Sequence, residues 1–389
     1  MTRLIEFVIA LALVLALFLV IGLVLPSSRE LQESVETNRR MTIVFDTLNN
    51  VRRLKDWNPL IPSAANELSY SGGENDAGVG AKVDFNSANA AWGQGSWEIV
   101  ESERPAPSGG PGKIVYAITD KRMGTDKRSV FSLEPSGKNN RNVKITQQYE
   151  VKYGWNLIGR YAGMYVSRHV GDSVKAGLSK LTNMLATVPN FDYRTEGSPL
   201  TDLKIVDVPA EDLLVVNAGN IDRTNDAIKA SIKSNQEWIK RVMEANGLVA
   251  NGPLRIITTD FGTEKYAFDV AQPVRKGSAA PKADAAPAVA GEPPVTPPAA
   301  APVASTGELK VTIPSGAPVT YVHLDARKSA FASYTGYMAE LDNQRNALRA
   351  WAVTSGHEVV DRPYESWKSG VDGSFEADGK FDIYWAVKH

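Results

Sequence analysis

The chain has 389 residues, with 43 basic and 44 acidic side chains and a formal net charge of −1 at pH 7. That length allows two domains of ordinary size, and the balanced charge argues against a general nucleic-acid binder, whose affinity needs a basic surface. Cysteine is absent, and His169, His323, His357 and His389 show no metal-binding spacing. Disulfides and thiol chemistry are therefore excluded, and neither a zinc site nor any other metal or cofactor is expected.

The first predicted element is an apolar run. Phe7 to Leu25 carries no charge over 19 residues, and Leu4 and Ile5 extend it to a span over 4–25. At about 1.5 Å rise per residue such a helix nearly crosses a hydrocarbon core of ~30 Å. The rival is a cleaved secretory signal, whose apolar region is ordinarily ~7–15 residues and ends in small residues. Here the run is longer and ends in Leu25-Pro26-Ser27-Ser28, which favours a retained single-pass anchor. The basic residues flanking it, Arg3 before and Arg29, Arg39 and Arg40 after, fix no topology by the positive-inside rule. A short amino-terminal tail that stays inside would place the rest of the chain on the extracytoplasmic side.

Residues 30–190 read as one α+β unit. Glu30 to Thr37 alternates as a strand, and Val44, Leu48 and Val51 repeat at helical spacing up to Asn58-Pro59. β-prone runs follow at 81–85, 95–100, 113–118, 129–133 and 143–151, separated by glycine-rich turn clusters. Val174, Leu178, Leu181 and Leu185 then mark a long amphipathic helix. Strand, helix, antiparallel strands and a closing helix predict a curved sheet gripping a helix.

Residues 201–389 read as a second α+β unit with an internal repeat. Leu203–Pro209 is echoed by Leu309–Pro314, and each is followed by a short β run, Leu213–Asn217 or Val319–Leu324. Long helices are expected next, one through Ile228, Ile232, Ile239 and Val242, the other through Phe331, Tyr334, Met338, Leu341 and Leu348. Each half ends in a strand bearing an acid, Tyr266–Val270 with Asp269 and Phe381–Trp385 with Asp382. The expectation is two pseudo-symmetric βαββ halves. Between them, 277–306 is rich in alanine and proline: Ser278 to Ala304 holds 11 alanines and 7 prolines. So little apolar bulk cannot offset ordering entropy, and a disordered insert is expected.

These residues resemble two known families. Over about 31–187 the chain resembles the SRPBCC superfamily, the helix-grip fold of START-like and polyketide cyclase/dehydrase-like proteins. The carriers are Leu54-Lys55-Asp56-Trp57-Asn58-Pro59-Leu60, Gly95–Ser102, and Trp155-Asn156-Leu157-Ile158-Gly159-Arg160-Tyr161 followed by Val170-Gly171-Asp172 and Lys175–Leu178. The resemblance implies binding of bulky apolar molecules, with no universal catalytic set. Over 201–389 the chain resembles the gyrase-inhibitor-like, AraC-type effector-binding domain, carried by Phe381-Asp382-Ile383-Tyr384-Trp385-Ala386-Val387. Asp382 stands where that family has glutamate, and Ala386 where it has proline. The resemblance implies a ligand cleft between two repeats.

Candidate binding residues follow. Asp382 and its repeat mate Asp269 could hold a cationic ligand, with Tyr384 and Trp385 beside the first by cation–π attraction, or both acids could simply face water. Tyr321, Tyr334 and Trp351 are candidate cleft walls, and Trp57 and Trp97 candidate walls of the helix-grip pocket; each could equally be core. Glu98 and Glu101 would act as acid or base only if buried, and Arg160 and His169 are expected to position backbone. No catalytic residue is assigned. The expectation is a membrane-anchored protein that binds a hydrophobic or amphipathic small molecule as sensor or carrier, without nucleic acid. A membrane-tethered cyclase, dehydratase or hydrolase is the alternative.

Overall fold

The structure, a computed structural model, describes residues 2–106, 109–194, 200–277 and 307–388. The expected insert at 277–306 lies, apart from Gly277, outside the described residues. The chain divides into two compact units, Met1–Glu196 with Val353–Gly356, and Gly197–Ala352 with His357–His389. Both are α+β with antiparallel sheets.

The first unit opens with α1 (Thr2–Val24), a 23-residue helix of about 34 Å. Its large side chains are exposed, Leu4 to Val24 alike, so it is apolar on faces that no protein covers. By length and composition it can cross a membrane. Pro26 ends it, since proline cannot donate the helical hydrogen bond, and the chain continues as β1 (Ser28–Thr37). Then come α2 (Met41–Leu48), α3 (Leu54–Trp57), β2 (Leu68–Ser71), β3 (Lys82–Asn86), β4 (Gln94–Glu103), β5 (Gly112–Asp120), β6 (Thr125–Ser136), β7 (Asn142–Lys152), α4 (Leu157–Ala162) and α5 (Asp172–Thr187). Strands β2 to β7 form a meander that β1 extends by pairing with β7, giving the order β1-β7-β6-β5-β4-β3-β2. Period-two burial on β7 and the buried stripe Val174, Leu178, Leu181 and Leu185 of α5 meet over a core that includes Trp57, Phe131 and Tyr116.

The second unit holds β8 (Leu200–Val208), β9 (Glu211–Asp222), α6 (Asn225–Asn246), β10 (Leu248–Ala250), β11 (Arg255–Phe261), β12 (Lys265–Lys276), β13 (Val319–Leu324), β14 (Arg327–Thr335), α7 (Leu341–Thr354), β15 (Tyr364–Trp367), α8 (Gly370–Gly373) and β16 (Lys380–Ala386). Its sheet runs β13-β9-β12-β11-β15-β16-β14-β8, with β10 on β12. That order exchanges strands between the halves: β8 pairs with β14 of the later half, and β13 with β9 of the earlier one.

Two expectations here are corrected. Phe331 and Tyr334 do not belong to a helix but to β14, and the helix starts only at Leu341 after a turn at Met338–Glu340. The break is Gly336, whose φ is +157° and where a Cβ would lie 2.3 Å from the Tyr334 hydroxyl. Leu309–Pro314 forms no strand, because side chains take its backbone groups. Asn246 bonds both the N–H and the C=O of Thr312, and the Leu309 N–H donates to Tyr321 Oη. The counterpart of β8 is therefore β13, and each half is ββαββ rather than βαββ.

Candidate functional site

In the second unit, alternation along β16 sets Phe381 and Ile383 on one face and Asp382 and Tyr384 on the other. Helix α7 covers the Ile383 face. Glu365, the register partner of Ile383, is bound there by Arg345 of α7 at 2.5 Å, and both are almost wholly buried. Tyr266 shares that interior, accepting from Arg345 and pairing with Thr258, and its hydroxyl is pushed up to about 12, chiefly by burial.

The opposite face carries both candidate acids, and each already has an internal cation. Asp382 accepts from Ser333 Oγ at 2.9 Å and from Lys368 Nζ at 3.2 Å. Asp269 accepts from Asn217 at 2.6 Å and pairs with Arg362 at 2.8 Å. The two arrangements match across the repeat, an acid on an inner strand between a neutral donor and a basic side chain. Tyr384 stacks on Tyr364 at 4.8 Å, and burial, then Tyr364 and Asp382, hold its hydroxyl well above the usual range.

At the centre of this face lies a cluster that spacing along the chain did not reveal. Glu211 is buried and receives both terminal nitrogens of Arg255 at 2.6 Å, plus Arg327 at 3.0 Å. Arg255 lies 4.7 Å over the Tyr364 ring. Bidentate pairing of this kind is among the stronger charge-assisted contacts. Its members come from β9, β11, β14 and β15, so only the folded sheet brings them together.

The remaining candidates are dispersed. Tyr334 lies on the helix side, stacked on Phe381 and donating to the Tyr337 carbonyl. Tyr321 and His323 of β13 both bind Asp212. The Tyr321 hydroxyl is pushed up to about 12 by burial and by Asp212, and the Asp212 hydrogen bond raises His323. Trp351 is buried on α7, and Trp385 donates its indole N–H to the Asp361 carbonyl. Of the five candidates on β13, β14 and β16, Asp382 and Tyr384 share one face of β16, and Tyr321, Tyr334 and Trp385 lie apart from them.

In the first unit, Trp57 and Trp97 are each 1% exposed. Trp57 meets Phe131 edge-on at 5.7 Å, and Trp97 meets Tyr116, which donates to the Leu48 carbonyl. Neither lines the cavity of about 1080 Å³ that opens at one end of this sheet. That cavity is formed by the turn from β1 to α2, the β4–β5 and β6–β7 connections, and the stretch after α5. Met41, Phe45, Pro105 and Val143 give it apolar surface, and Arg39, Arg40, Arg104, Arg141 and Arg194 give it five guanidiniums against the single carboxylate of Asp192.

Three of these arginines are held in place. Arg39 donates to the Leu185 and Ala186 carbonyls at the end of α5, where a cation also suits the helix dipole. Arg104 and Arg194 grip the two oxygens of Asp46 at 2.7 and 2.8 Å. Counting Asp46 with Asp192, five guanidiniums face two carboxylates. A second, more open depression of about 710 Å³, beside β2 and β3, is lined largely by polar side chains. Among the described residues no cluster of three or more His, Asp or Glu is placed to hold a metal ion.

No protein-family model matches the chain, and no curated protein matches it. Solved structures with some likeness include the EcmrR C-terminal domain, 14% identical, covering 48% of this chain and 97% of that one at a TM-score of 0.32. An EcmrR–DNA complex is 14% identical, with 60% and 72% covered and a TM-score of 0.34. Norcoclaurine synthase from Thalictrum flavum, in complex with dopamine and hydroxybenzaldehyde, is 14% identical, with 42% and 91% covered and a TM-score of 0.30. At such scores the likeness assigns neither family nor activity to this chain.

Proposed function

We propose that the chain is a single-span membrane protein that binds an amphipathic, anionic small molecule in the arginine-rimmed cavity of its first unit. The observation that carries this reading is the composition of that cavity: apolar side chains at Met41, Phe45 and Val143 beside a five-guanidinium rim. Ligand sites are mostly apolar with a few polar groups that fix orientation, and guanidinium forks match carboxylate, sulfonate or phosphate oxygens. The seven-stranded meander closed by α5 suits a helix-grip unit, and the strand-exchanged ββαββ halves suit a gyrase-inhibitor-like unit. Both agree with the residue-level resemblances.

Binding is favoured over catalysis by one further contact. Glu101, a candidate acid or base, is only half-buried and is kept below the ordinary carboxylate range by its hydrogen bond from Lys113. It stays charged near neutral pH and cannot serve as a proton donor there. In the second unit a cationic ligand at Asp382 would have to displace Lys368. The soluble units lie on the extracytoplasmic side in this reading.

The test is native mass spectrometry of the full-length chain extracted in mild detergent from a carbonate-washed membrane pellet. A retained anionic amphiphile is expected in that fraction. Recovery of a chain lacking residues 1–26 would remove the anchor, and an empty protein that also fails to take up added anionic amphiphiles would remove the binding function.

A further inference from the structure

Among the described residues outside α1, nine large apolar side chains are exposed, and four of them fall between residues 155 and 165: Trp155, Ile158, Met164 and Tyr165. Their exposures are 83, 62, 51 and 58%. Such clustering on one short helical stretch is unlike the scattered single exposures of an ordinary surface.

The stretch is docked on α1. Arg160 Nη1 donates to the carbonyls of Gly22, Leu23 and Leu25 at 3.3, 2.9 and 3.1 Å, which satisfies the otherwise unpaired end of that helix. Tyr161 stacks on Phe18 at 4.4 Å and donates to its carbonyl at 2.7 Å. Gly22 permits the approach, since a Cβ there would lie 3.2 Å from Leu157 Cβ. α4 therefore sits beside Phe18–Leu25, the last ~10 Å of the apolar helix.

The geometry points to a membrane-contacting collar: α4 and the turn after it lie in the interfacial layer of the bilayer that α1 crosses. Trp155, Ile158, Met164 and Tyr165 would enter the boundary between headgroups and acyl chains. This rests on the reading of α1 as a retained span. Tryptophan and tyrosine favour that layer because one part of each ring is apolar and one edge is polar. Interfacial helices bury their apolar face about 5–10 Å into it, which is the depth that contact with Phe18 requires. Arg160 is accommodated because three carbonyls and the nearby Trp155 ring, at 5.8 Å, receive its charge. Exposed Arg168 and His169 follow on the same helical run, where phosphate headgroups would meet them.

The lack of cysteine in the chain makes the test direct. Single-cysteine variants of the full-length chain, Ile158→Cys, Tyr165→Cys, Lys138→Cys and Leu13→Cys, would be nitroxide-labelled and reconstituted in phosphatidylcholine–phosphatidylglycerol vesicles. Collision with oxygen, which partitions into lipid, would be compared with collision with a water-soluble nickel chelate. The oxygen-to-nickel ratio at Ile158 and Tyr165 is expected to be several-fold above that at exposed Lys138, in the β6–β7 turn at the end of the sheet away from α1, and to approach that at Leu13. Nickel access at Ile158 and Tyr165 equal to Lys138, with Leu13 still in lipid, would overturn the collar and leave the anchor standing. A water-accessible label at Leu13 would overturn the anchor and the collar together. Labels at Ile158 and Tyr165 shielded from both reagents would mean that a protein surface, such as a second copy, covers the stretch instead.

Discussion

At the scale of single residues, the second unit contrasts two kinds of ion pair. Glu365 and Arg345 are buried against each other, whereas Lys368, paired with Asp382, is half exposed. Removing one partner of a buried pair strands an uncompensated charge, which costs about 3–5 kcal/mol, while replacing both with apolar groups is often neutral. Glu365→Leu should therefore destabilise the unit by about that amount, and Glu365→Leu with Arg345→Leu should recover most of it. Urea denaturation of the two variants checks this; equal destabilisation by both would show that packing, not charge, carries the cost. His323 gives a pH signature. Its hydrogen bond to Asp212 raises it above the ordinary value of 6.5, so the folded state holds the proton more tightly than the unfolded one. That contribution is fully present below 6.5 and is lost as pH rises through the raised folded value. Melting temperature should fall over that rise in the wild type and be flatter in His323→Asn.

At the scale of elements, the reciprocal placement of β8 and β13 matters most. Each gives its ladder to the opposite half, from Tyr334↔Leu200 to Arg327↔Val208 and from Val319↔Val216 to Leu324↔Glu211. Proteolytic nicking of the full chain between 278 and 306 should consequently leave the two fragments together through gel filtration, with little change in thermal transition. Fragments that separate without denaturant would contradict the exchange. Much of this layer was legible in the sequence. The strands of the first unit were marked by β-prone runs between glycine-rich turns, except β2 (Leu68–Ser71), which was missed, and α5 and α6 by apolar residues at helical spacing. Phe331, Tyr334, Met338 and Leu341 misled because their intervals of three and four imitate a helix, although Gly336 divides a strand from a turn. The candidate site was far less legible. Alternation could place Asp382 and Tyr384 on one face of β16, yet Lys368 reaches Asp382 from the turn after β15, and the guanidinium rim draws on four separate segments between Arg39 and Arg194. Such groupings arise from tertiary closure and leave no local pattern.

At the scale of the first unit as a whole, β1 links its two functional ends. The strand begins at Ser28, just after α1, and ends at Thr37, just before the cavity residues Asn38 to Thr42. Ten residues at ~3.3 Å each separate them by about 30 Å. If α1 crosses a bilayer as proposed, the cavity mouth would face the aqueous phase well away from it. That arrangement suits a tethered receptor for a ligand arriving through water better than a site filled sideways from lipid. The measurement that bears on this most directly is fluorescence titration of the full-length, detergent-solubilised protein with 1-anilinonaphthalene-8-sulfonate, an anionic amphiphile of suitable size, alongside Arg141→Glu and Met41→Trp. Both variants alter half- or fully exposed rim positions. Saturable binding weakened about tenfold by Arg141→Glu, a change of about 1.4 kcal/mol, and reduced again by the bulk of Met41→Trp is the predicted result. Binding that is unsaturable, or equally strong in both variants, would contradict a ligand site in the arginine-rimmed cavity.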